Sequence, residues 1–198
     1  MSARLSPGFA DAPRAAQAVF KALMWALARP GQPQALEGGL VPPAPLTPEL
    51  AAIALTMLDH DSAVWLDPAL RDAPDVLDFL RFHTSARVVD DPQEAQFALI
   101  REAASAPDFA AFAQGDPAYP DQSTTLVLAV DALLPGPIMM CGPGIDGTIA
   151  FGAAPLPPDM AARLVRNRTG FPLGVDLLLA APGAVLGLPR SVRVMEEV

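Results

Sequence analysis

Apolar residues arrive along this chain in short runs separated by proline and glycine, a spacing that predicts alternating helices and strands rather than long spans. From Asp11 and Pro13 to Ala28, Val19, Phe20, Leu23, Met24 and Leu27 recur at helical intervals. They predict an amphipathic helix with those five side chains on its packed face, stopped by Arg29-Pro30-Gly31. Residues 30–46 are rich in proline and glycine and read as a connector with a short strand near Gln34 to Leu36. Thr47-Pro48-Glu49 supplies an N-cap hydroxyl, a proline at the first helical position and an acid in the first turn. The helix it opens is expected to reach about Asp59 and to bury Leu50, Ile53, Ala54, Met57 and Leu58. Ala63 to Leu66 reads as a strand closed by Asp67-Pro68, and Asp72-Ala73-Pro74-Asp75 as the start of a helix running to about Phe82. Arg87 to Val89 and Phe97 to Ile100 read as further strands on either side of the Asp90-Asp91-Pro92 break, and Pro107 to Ala113 as a short helix.

The most apolar stretch, Thr124 to Ile145, predicts two neighbouring core strands, Leu126–Val130 and Ile138–Cys141. Leu133-Leu134-Pro135-Gly136-Pro137 forms the turn between them, because proline cannot donate to a ladder. After Gly144 the chain is read as loose through Pro158. A helix then runs from Pro157-Pro158-Asp159 to about Arg168, with Met160, Leu164 and Val165 inward and Arg163, Arg166 and Arg168 outward. Val175 to Ala180 and Ser191 to Val194 complete the strands. The order predicts an α/β protein, a single domain over residues 1–198, with a mixed β-sheet flanked by helices.

At 198 residues such a domain buries enough apolar surface to need neither disulfide nor metal. The single cysteine, Cys141, lies among apolar residues and reads as a small core side chain in a reducing compartment. No secretory signal is read at the start, where Arg4 is followed by Ser6-Pro7-Gly8, and no apolar run approaches the ~20 residues of a membrane helix. The net charge of −9 argues against nucleic acid or an anionic membrane as partner. Lys21 is the only lysine, so Schiff-base or P-loop chemistry would have to use it.

Candidate chemistry is sparse. The two histidines, His60 in Asp59-His60-Asp61 and His83 in Leu80-Arg81-Phe82-His83-Thr84, lack any metal-ligand spacing, and no metal site is expected. Arg81, His83 and Thr84 bring a guanidinium, an imidazole and a hydroxyl together at the end of a helix. They either converge on an anion or satisfy the last helix carbonyls, and the second reading is the stronger on the residues alone. Gly142-Pro143-Gly144 matches no phosphate-binding fingerprint and reads as a structural turn. Asp176, a lone acid in an apolar strand, is either a functional carboxylate or one held by amides at a sheet edge.

Several phrases in order, Ala54-Leu-Thr-Met-Leu-Asp-His-Asp-Ser-Ala-Val-Trp-Leu66, Leu80-Arg-Phe-His-Thr84, Gly142-Pro-Gly-Ile145, Phe171-Pro-Leu-Gly-Val-Asp-Leu177 and Leu188-Pro-Arg190, resemble the PhnH family of the bacterial carbon-phosphorus lyase system. The resemblance runs from about Phe9 to Val194. It implies a cytoplasmic subunit acting with PhnG, PhnI and PhnJ to form ribose 1-alkylphosphonate 5-triphosphate from ATP and an alkylphosphonate, without performing the chemistry alone. It also implies a homodimer and a fold similar to the large domain of pyridoxal-phosphate-dependent transferases. No cofactor is expected, because Lys21 lies in the opening helix and not at a strand end. Arg81, His83, Thr84, Asp176 and Arg190 fall within the matching phrases. The resemblance therefore nominates them as contacts to a partner or to an anionic small molecule, ATP or phosphonate, with no catalytic step assigned.

Overall fold

A computed structural model describes residues 6–195. In chain order the elements are α1 (Ala12–Ala28), β1 (Gln34–Ala35), α2 (Pro48–Met57), β2 (Ala63–Leu66), α3 (Pro68–Arg71), α4 (Pro74–Thr84), β3 (Arg87–Val89), β4 (Phe97–Ile100), β5 (Thr125–Ala129), β6 (Ala132–Cys141), β7 (Ile149–Ala154), α5 (Met160–Thr169), β8 (Asp176–Ala181), β9 (Ala184–Leu188) and β10 (Arg193–Val194). A seven-stranded sheet has the order β1-β9-β8-β5-β4-β2-β3, and a three-stranded sheet has the order β10-β6-β7. The strands from β3 to β8 in the large sheet are parallel, whereas β9 runs against β8. The sheet is therefore mixed and helix-flanked, as the alternation of elements predicts.

Apart from Thr125 and Asp176, which open β5 and β8, the central strands are apolar throughout because both faces of the sheet are covered. Val64 and Leu66 of β2, Val127 and Ala129 of β5, and Leu178 and Ala180 of β8 point into one core with Val19 and Leu23 of α1, Ile53 of α2 and Phe79 of α4. Their neighbours Trp65, Leu126, Leu128, Leu177 and Leu179 point the other way, against Phe112, Leu164 of α5, and Met140 and Phe151 of the small sheet. The period of two along each strand thus divides one buried sheet between two cores. None of the helices in the described residues is long and apolar enough to cross a membrane.

Several expectations are corrected. Phe20 and Met24 of α1 are half-exposed, because the packed stripe is Val19, Leu23 and Ala26 and the two larger side chains fall beyond its edge. Val165 of α5 likewise turns outward, while Asn167 is buried. Asp67-Pro68 does not merely end β2: the Asp67 carboxylate caps α3. Asp72 does not cap α4, whose N-cap is Ala73 with no side-chain bond. Residues 107–113 hold only a 3-10 turn, Phe109–Ala111. Cys141 is half-buried rather than a core residue.

The largest correction concerns Pro135-Gly136-Pro137. It is no turn between core partners: β5 lies in the large sheet, and β6 runs straight through the prolines in the small one. The β6–β7 ladder shifts register between Leu134 and Ile138, so the prolines sit where pairing is already broken. Gly136 has to be glycine there, since a Cβ would stand 2.3 Å from the Gly152 Cα. Residues 149–154, expected to be loose, form β7, and the hairpin strand β9 was not expected at all.

Candidate functional site

The nominated residues separate into two groups at one edge of the large sheet. A helix returning between parallel strands ends where those strands begin, so the last turn of α4 lies near the N-terminal edge; Arg87 N donates to Ser62 O there at 2.9 Å. Asp176 opens β8 on the same edge, paired in register with Thr125. Four inter-strand steps separate β3 from β8 in the sheet, about 19 Å at the usual spacing. The two groups cannot close on one small ligand.

Within the first group the side chains diverge, because residues two apart on a helix do not share a face. Thr84 is buried, with Oγ1 donating to Leu80 O at 2.7 Å and accepting from Ala86 N at 3.0 Å. It closes the helix and starts the turn, where Ser85 takes a left-handed conformation at φ 59°. The His83 ring lies between Phe79 and Phe82, with centroids 4.6 and 5.0 Å away. Its Nε2 is 3.0 Å from Ser6 O, an oxygen that can only accept, so Nε2 carries the proton and donates. Gly8 packs close to the ring as well, where a Cβ would stand 2.9 Å from Nδ1. His83 thus pins the segment preceding α1. Arg81 is exposed, and among the described residues its side chain makes no hydrogen bond or ion pair.

The second group is a closed clamp. Arg190 grips Asp176 from two nitrogens, Nε to Oδ1 at 3.2 Å and Nη2 to Oδ2 at 2.6 Å, while its backbone N donates to Oδ1 at 2.8 Å. The same guanidinium donates to Pro120 O and Ser123 Oγ, each at 2.5 Å. The planar fork of arginine suits this arrangement. Its effect is to lock the 115–123 loop and the segment after β9 onto the start of β8.

Between the groups lies a cleft of about 640 Å³, lined by Asp59, Asp61, Ser62, Gln96, Phe97, Asp121, Gln122, Ser123 and Thr125. The Ser62 hydroxyl, donating at 2.8 Å, holds the Asp59 carboxyl below its ordinary range, and with Asp61 and Asp121 the lining holds three acids and no cation. Such a lining repels phosphate and phosphonate. The residues were recognisable only in outline: Ser62, Gln96 and Thr125 are each the polar residue at the start of an apolar run, which marks the N-terminal edge.

At the opposite edge, where open α/β sheets usually hold ligands, a smaller cavity of about 300 Å³ is lined by Trp65, Asp67, Pro68, Ala69, Ile100, Glu102, Ser105 and Pro107. Asp67 is 3% exposed, and its oxygens accept from the backbone amides of Leu70, Arg101 and Glu102 at 2.8–3.1 Å. Its function is to join α3 to the exit of β4. Neither cavity is lined by a cation, and among the described residues no cluster of three or more His, Cys, Asp or Glu side chains is placed to hold a metal.

Comparison with known proteins supplies what this geometry does not. The sequence model of the family described as "Bacterial phosphonate metabolism protein (PhnH)" matches residues 7–195. A curated relative from Rhizobium meliloti (strain 1021), alpha-D-ribose 1-methylphosphonate 5-triphosphate synthase subunit PhnH, is 44% identical over 195 residues, covering 97% of this chain and 96% of its own. With nearly the whole of both chains aligned at that identity, this chain belongs to the PhnH family of bacterial phosphonate metabolism proteins.

Proposed function

We propose that the chain is the PhnH subunit of an alpha-D-ribose 1-methylphosphonate 5-triphosphate synthase, a structural member of an assembly with PhnG, PhnI and PhnJ. The observation that carries this is the end-to-end similarity to the Rhizobium meliloti subunit. The geometry supports a structural role: Thr84, His83, Asp176 and Arg190 spend their bonding capacity inside the chain, on a helix end, an N-terminal segment and a loop clamp. The same reading takes the chain as one cytoplasmic domain that forms a homodimer. Its likeness to the large domain of pyridoxal-phosphate-dependent transferases is supported by the mixed seven-stranded sheet. The residues do not fit that cofactor, because the sole lysine, Lys21, is exposed on α1 and lines neither cavity. Affinity purification of the tagged chain from phosphonate-grown cells tests the proposal. PhnG, PhnI and PhnJ are expected in stoichiometric yield, and their repeated absence overturns it.

A second reading makes the chain itself a binder of ATP or phosphonate. Arg81 favours it, as the one nominated side chain left free, beside a Phe82 ring that is 70% exposed. Calorimetry with ATP and methylphosphonate on the assembled complex is expected to show heat that Arg81→Ala removes; equal heat from the variant ends this reading.

A further inference from the structure

We infer that the outer face of α1 is a docking ridge for an apolar, acid-rimmed groove on a companion subunit. The inference rests on the assembly reading above and names the surface it would use. Three large apolar side chains stand out from this helix, with Phe20 50%, Met24 52% and Trp25 37% exposed. They are not scattered. Phe20 and Met24 form one row at an interval of four and Lys21 and Trp25 form the adjacent row, so Met24, Lys21 and Trp25 face away from Val19, Leu23 and Ala26, with Phe20 at the ridge's edge and Arg29 at the helix's C-cap. A contiguous exposed patch of this kind on a folded chain marks an interaction surface.

Charge identifies what fits it. The chain carries −9 overall, yet residues 12–29 contain Arg14, Lys21 and Arg29 and no acid. All three cations are exposed, and among the described residues none joins a salt bridge. The Arg29 guanidinium lies over the Trp25 ring, 4.3 Å from its centroid, which fixes the aromatic and presents the charge beside it. Aromatic anchors flanked by cations suit a helix seated in an apolar groove whose rim is acidic. A second copy fits poorly. Two α1 ridges facing across a two-fold axis bring like cations together.

Because Lys21 is the sole lysine, a zero-length carbodiimide couples this chain's side-chain amines to a carboxylate at one position only. The experiment uses the co-expressed synthase assembly, coupled and then digested. A peptide joining Lys21 to an Asp or Glu of a companion subunit is the expected product. In parallel, Phe20→Asp/Met24→Asp and Lys21→Glu/Arg29→Glu are expected to recover companions at least about tenfold less well. Their far-UV spectra and unfolding midpoints stay at wild-type values, since no side chain in either pair is buried. If wild-type chain assembles and both variants assemble equally, or if Lys21 couples to a second copy of this chain, the inference is overturned while the assembly reading stands. If wild-type chain recovers no companion at all, both fall.

Discussion

Replacing Arg190 by methionine separates a structural clamp from a ligand contact. The substitution keeps much of the side-chain length and removes four hydrogen bonds: two to Asp176, one to Pro120 O and one to Ser123 Oγ. Asp176 is left with only the amide of residue 190. Breaking a fully buried pair from one side costs about 3–5 kcal/mol, because the remaining charge is stranded. Here the side chains are 13% and 22% exposed. Residual hydration of Asp176 then lowers the expected loss to about 3 kcal/mol, or about 6–12 °C in Tm for a chain of this size. Urea unfolding followed by far-UV circular dichroism measures it, with Arg81→Met as the control, expected within about 0.5 kcal/mol of wild type because that side chain bonds to nothing. A double-mutant cycle with Asp176→Asn is expected to show coupling above about 1 kcal/mol. If Arg190→Met unfolds within about 0.5 kcal/mol of wild type, the clamp reasoning is refuted and Arg190 returns as a candidate binding residue.

Two other perturbations test the rest of the frame. Asp67→Ala strands the amides of Arg101 and Glu102 and uncaps α3, and is expected to destabilise by about 3 kcal/mol or more in the same urea assay. Asp108 has its carboxyl held below the ordinary 3.8, first by the Ala110 amide and then by the Arg166 guanidinium. A depressed acid contributes stability above its unfolded value and loses it as pH falls through the folded one. Asp108→Asn is therefore expected to lower the urea midpoint slightly at pH 7, by under about 1 kcal/mol since the ion pair is exposed. The difference from wild type is expected to shrink below pH 3.8 and to vanish once pH has fallen through the lowered folded-state value, and a difference that does not shrink with falling pH contradicts the assignment.

How much of this was readable in the chain depends on where the information lies. Strands β2, β4 and β8 fall within a residue of their expected places, because a strand buried on both faces writes itself as a short apolar run between breakers, and the half-exposed edge strand β3 was marked by the breakers around it. α2 was equally legible from Thr47-Pro48-Glu49, whose hydroxyl does accept from Leu50 N. β7 was not, since Ile149-Ala-Phe-Gly-Ala-Ala154 holds only two large apolar residues and is interrupted by Gly152, and it becomes a strand only by pairing with β6. β9 carried a usable signal in the Pro182-Gly183 turn, with Gly183 at φ 73°, but its own Gly187 masked it. For the site, the phrases picked out residues that matter, while their partners lay out of reach: Ser6 is 77 residues from His83, and Pro120 is 70 from Arg190. Composition names the side chain, and only the fold says what it holds.

The central claim is that this chain serves phosphonate metabolism as one part of a synthase. The most direct measurement is reconstitution, following ATP and methylphosphonate in mixtures that contain or omit this polypeptide. Product is expected only when it is combined with PhnG, PhnI and PhnJ, and none from the polypeptide by itself. Full activity in its absence, or turnover by it unaccompanied, contradicts the account.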